Sequence, residues 1–155
     1  MKHLFILLGF SAFINVASAQ NMRELRKQQF NVSRDGLAIN GYDPVAYFTA
    51  GKAVKGKTEF IATVDGITYR FSTPQNRDLF KGEPAKYEPQ YGGWCAYAMG
   101  ASSEKVEIDP ETFKIVNGKL FLFYHTWVNN TLNKWNADET NLHTKADVNW
   151  RTFYH

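Results

Sequence analysis

Cys95 is the only thiol in the 155 residues; Met99 follows it by four positions, and His125 lies further along. A thiolate, a thioether and an imidazole form a donor set suited to soft ions such as Cu(I). On a helix, residues four apart stack on one face. Cys95 and Met99 are therefore a candidate copper pair, with His125, at the end of an expected strand, as a third ligand. The competing reading makes Cys95 and Met99 flexible core fillers. A second set of candidates is aromatic. Tyr42, Tyr91 and Trp94 have the size to form a surface for a protein or small ligand, although aromatic rings equally supply buried area to a core. No phosphate-binding loop, dinucleotide fingerprint, H-E-x-x-H or G-x-S-x-G motif is present. A Cys–His hydrolase would need Cys95 within hydrogen-bond reach of His125. Nothing names a substrate or a reaction, and the chain reads as non-catalytic.

The elements that must position these residues can be read from turn chemistry and periodicity. Asp43-Pro44 starts a short helix, because a carboxylate caps free N–H groups and proline is pre-set for the first turn. Asp65-Gly66 lies between Glu59 to Val64 and Ile67 to Phe71. Asn117-Gly118 lies between Phe113 to Val116 and Lys119 to Tyr124. Each is a two-residue hairpin signal. Ser72 or Thr73 caps a helix that opens at Pro74, carries Leu79 and Phe80 inward and stops at Gly82. Trp94 to Gly100 is expected as a small helix, and Val106 to Ile108 as a strand. Val128, Leu132 and Trp135 recur at helical spacing, as do Leu142, Ala146 and Trp150. The fold class is α+β: one small domain with two β-hairpins and several short helices.

At the N-terminus, Lys2 precedes an apolar run from Leu4 to Val16, and Ala17-Ser18-Ala19 offers the small residues of a signal-peptidase site. Residues 1–19 are expected as a signal peptide, 20–35 as a flexible leader, flexible or weakly helical over Asn21 to Gln29 with Arg23, Arg26 and Lys27, and 36–155 as the folded domain. The apolar run is shorter than the roughly 20 residues a membrane span needs, so no transmembrane segment is expected after cleavage. Export is to the periplasm or the extracellular space. A single cysteine then allows no internal disulfide, and a hydrophobic core must hold the fold. The formal charge of +3 lacks the size and clustering of a nucleic-acid binder.

Three blocks in order resemble the YHS domain family: Gly41-Tyr42-Asp43-Pro44-Val45-Ala46-Tyr47-Phe48, Tyr69-Arg70-Phe71-Ser72, and Tyr91-Gly92-Gly93-Trp94-Cys95-Ala96-Tyr97. Ala146-Asp147-Val148-Asn149-Trp150 is similar to the ending of its exported single-domain members, so the resemblance runs from about Gly36 to Trp150. It implies a small module for which metal binding or metal sensing is generally proposed. The cysteine-bearing branch reads D-P-V-C and then Y-x-F-C-S-x-x-C-x-x-x-F. Along this chain its cysteines fall on Ala46, Ser72 and Asn76, and its closing aromatic on Phe80. All three thiols are absent, and neutral Ser and Asn oxygens do not replace them for a soft ion. Cys95 lies elsewhere and inherits no role by position. The resemblance thus leaves two expectations: a binding or accessory module of unknown partner, or a copper-handling protein using Cys95 with Met99 or His125.

Overall fold

A computed structural model describes residues 7–154, with side chains from Ser18 onward. The first six residues of the expected signal peptide, including Lys2, lie outside the described residues. Among the described residues, seven α-helices and three two-stranded antiparallel sheets make an α+β fold. In chain order these are α1 (Leu7–Gln29), α2 (Ala46–Thr49), β1 (Lys57–Val64), β2 (Ile67–Phe71), α3 (Pro74–Gly82), α4 (Pro84–Tyr87), α5 (Ala96–Ser102), β3 (Asp109–Val116), β4 (Lys119–Phe123), β5 (His125–Thr126), β6 (Asn129–Asn130), α6 (Thr131–Ala137) and α7 (Glu139–Arg151).

Both expected hairpins form. Asp65 and Gly66 take φ of 48° and 86°, and Asn117 and Gly118 take 51° and 72°, the paired left-handed values that match strand twist in a two-residue turn. Thr73 caps α3 by accepting from the Asn76 N–H at 3.1 Å. Phe80 is carried inward as expected, but Leu79 is 47% exposed. Consecutive helical positions diverge by about 100°, so a helix lying on one hairpin cannot bury both.

Strand β4 organises the core. Its Leu120-Phe121-Leu122-Phe123 run is buried on both faces, and alternation along a strand sends successive side chains to opposite sides. Leu120 and Leu122 join Tyr47, Tyr69, Phe71, Phe80 and Cys95 in one cluster. Phe121 and Phe123 join Met99, Trp135, Leu142 and Ala146 in the other. Helices α5 and α7 close over the second cluster so tightly that a Cβ on Gly100 would sit 2.4 Å from the Leu142 carbonyl oxygen.

Of the two forms expected for the leader, flexible or weakly helical, residues 20–29 take the helical one within α1, and the end of that helix is tied down. Arg26 pairs with Glu88 and lies 4.1 Å over the Phe30 ring, Trp94 Nε1 donates to the Gln29 carbonyl at 2.6 Å, and Lys105 Nζ donates to Gln29 Oε1 at 2.6 Å. Residues 106–108 are not a strand, although the Val106 carbonyl accepts from Cys95 N at 3.0 Å. Trp94, in extended conformation, and Cys95, with non-helical ψ of 115°, precede α5. Val128 does not belong to the helix of Leu132 and Trp135 but sits in a third hairpin, β5–β6, whose strands pair His125 with Asn130 and Thr126 with Asn129.

Candidate functional site

The three positions at which the resemblance placed missing cysteines converge on one carboxylate. Asp43 is fully buried. Its Oδ1 accepts from the backbone N–H of Val45 at 2.9 Å and of Ala46 at 3.3 Å, which is the helix-capping role expected of it. Its Oδ2 accepts from Ser72 N at 2.8 Å, Ser72 Oγ at 2.6 Å and Asn76 Nδ2 at 2.7 Å. Sequence reasoning found the cap but missed that Asp43 also joins α2 to the β2–α3 junction. Five donors occupy both carboxylate oxygens, so the corner is a closed joint with no lone pair directed at an open site. An anion accepting several hydrogen bonds is how a buried charge is normally accommodated.

The proposed soft donors are not gathered. Cys95 occupies the cap position of α5 with ψ of 115°, so it is not on the helix face that would stack it over Met99. Its fully buried Sγ accepts from Tyr124 N at 3.3 Å and lies 3.4 Å from Thr131 Oγ1. Met99 is packed in the other cluster. His125 turns to the surface, where Nδ1 lies 3.0 Å from Thr112 Oγ1 and 3.3 Å from Asp109 Oδ2. Among the described residues, no three His, Cys, Asp or Glu side chains assemble as a metal site.

The three proposed surface aromatics are also separate. Tyr42 is half-buried; its hydroxyl donates to Glu111 Oε1 at 3.3 Å, and burial followed by the Glu111 charge pushes its phenol upward. Tyr91 is buried against Phe121 and donates to Asp147 Oδ1 at 3.0 Å; burial, then Asp147, raises its phenol well above the ordinary range. Trp94 holds the end of α1 through its indole N–H. Each is engaged inside the fold, so the three do not share one free face.

The exposed aromatic is one the sequence did not single out. Trp127 is 96% exposed and Val128 76% exposed, side by side in the turn between β5 and β6. The stem is fixed at its base. His125 rests on Thr112 and Asp109, Thr131 Oγ1 donates to the Tyr124 carbonyl at 2.7 Å, and Asn130 Oδ1 caps α6 by accepting from Leu132 N at 3.0 Å. The available signal was the Asn130-Thr131 cap, which ends the apolar pair and begins a helix after Val128 rather than at it. No family model matches the chain, and comparison with curated proteins and solved structures likewise gave no match.

Proposed function

We propose that this chain is an exported, non-catalytic accessory module of the YHS type that works by contact, through the β5–β6 hairpin tip. The observation that carries this reading is the near-complete exposure of Trp127 on a stem pinned by side-chain hydrogen bonds. Tryptophan is enriched among the residues that anchor interfaces, and here one stands in water on a stem fixed at its base. The groups with chemical potential are committed elsewhere: Asp43 to its joint, Cys95 to the Tyr124 amide, His125 to Thr112 and Asp109. Export is supported by the Leu4 to Val16 run and Ala17-Ser18-Ala19. The YHS assignment is supported by the three sequence blocks and by the meeting of Ala46, Ser72 and Asn76 at Asp43. A photo-crosslinking residue at position 127, introduced in the producing cell, tests the reading. Adducts at position 127 and none from the exposed Lys52 position are expected. Equal yields at the two positions, or none at either, overturn the contact role.

A further inference from the structure

We infer that the Trp127 tip is a membrane-surface anchor that seats its two apolar residues in the interface of a bilayer with uncharged, zwitterionic headgroups. The inference rests on the contact role proposed above and names the partner. A two-residue turn on two-residue strands is a narrow convex prong, not a groove or a flat face. Stable protein interfaces bury about 800 Å² on each partner. Two side chains of which the larger offers roughly 150–250 Å² fall well short of that. Among the described residues, the other large exposed apolar side chains, Met22, Ile61, Leu79 and Val148, belong to α1, β1, α3 and α7 and not to the β5–β6 hairpin. A bilayer needs no complementary surface, only a wedge that reaches it.

The chemistry of the tip fits the same medium. From His125 to Asn133 the chain has no Asp, Glu, Lys or Arg, so nothing charged has to enter the interface with the wedge. Tryptophan is the residue enriched at that depth, with an apolar body and a polar N–H that stays wet. Among the described residues, Trp127 has no protein acceptor for its indole N–H, in contrast to Trp94, bonded to Gln29, and Trp135, bonded to Glu139. Thr126 and Asn129 flank the pair with uncharged polar groups at headgroup level. Asp109, whose Oδ2 lies 3.3 Å from His125 Nδ1, places a carboxylate at the base of the prong, which disfavours anionic lipid relative to neutral headgroups. The pinned stem means that little ordering is needed on docking.

The experiment compares tryptophan emission of the exported protein, beginning at Gln20, with that of its Trp127→Phe and Trp127→Ala variants. Each is titrated with vesicles of pure phosphatidylcholine and of phosphatidylcholine mixed with phosphatidylglycerol. The expected result is a blue shift on pure phosphatidylcholine that is quenched by bromine-labelled acyl chains and absent from both variants. Partitioning of Trp127→Ala is expected to fall about tenfold, on the scale of one lost aromatic anchor. Unchanged circular dichroism establishes that the variants fold. No blue shift on either vesicle, or a shift only on the mixed vesicles, overturns the inference. Position-127 crosslinks to protein without vesicle binding overturn the bilayer as partner while leaving the contact role standing.

Discussion

At the scale of single residues, the most consequential group is one that reacts with nothing. Asp43 is legible in the sequence as a helix cap because Asp-Pro has a local mechanism. Its bonds to Ser72 and Asn76 are not legible, since they depend on strands and a helix some thirty residues away. In Asp43→Ala the amides of Val45, Ala46 and Ser72 and the Asn76 side chain lose their shared acceptor in a dry environment. Unpaired buried donors cost about 1–3 kcal/mol each before relaxation, so a destabilisation of about 3–5 kcal/mol is expected from urea unfolding. Asn76→Ala removes one donor from an acceptor that keeps four others, and is expected to cost about 1 kcal/mol. Equal, small losses in the two variants would show that the joint does not hold the corner. Cys95 and Met99 show the same division. Their identities and spacing were plain, but the non-helical backbone at Cys95 decides where the sulfur points.

At the scale of elements, turn chemistry carried the two long hairpins because Asp-Gly and Asn-Gly state the left-handed conformation they need. The β5–β6 turn announces nothing of the kind. Neither Trp127 nor Val128 has positive φ, so no glycine or asparagine marks it, and Val128 fell into register with the next helix. The α6–α7 junction offers a test of how elements are held. Glu139, at the start of α7, accepts from Lys114 Nζ at 2.7 Å and from the buried Trp135 indole at 3.0 Å. The Lys114 hydrogen bond, assisted by that of Trp135 and by the Lys114 charge, outweighs partial desolvation and holds the carboxyl below its usual value of 4.5. A carboxyl depressed by folding stabilises fully above its unfolded value, and that contribution is lost as pH falls through the folded value. Glu139→Gln keeps an acceptor for Trp135 and removes the charge. The wild type is therefore expected to show the higher urea midpoint above about pH 5. The gap should close as the solution is acidified below the usual glutamate range. A gap that is independent of pH would show that the ion pair contributes nothing.

For the molecule as a whole, the leader is part of the fold. The end of α1 is tied by Arg26 to Glu88, which also accepts from Tyr69 at 2.8 Å, and by Gln29 to Trp94 and Lys105. Removing residues through Gln29 leaves Glu88 and Tyr69 without the cation and strips the Trp94 indole of its acceptor. The melting temperature is expected to fall by about 5 °C or more, measured by circular dichroism; an unchanged value would return the segment to the role of a free leader. The polarity of residues 20–29 concealed this docking, because Arg26 and Gln29 meet their partners through heads that look solvent-bound in sequence. What the sequence determined by itself is therefore local: caps, left-handed turns and the helical period of α7, each fixed by forces acting over a few residues. The tertiary structure alone decided what those elements bring together: five donors on Asp43, Cys95 turned toward Tyr124, and Trp127 left in water. Such meetings depend on how distant surfaces pack, and packing is a property of the assembled core rather than of any stretch of chain.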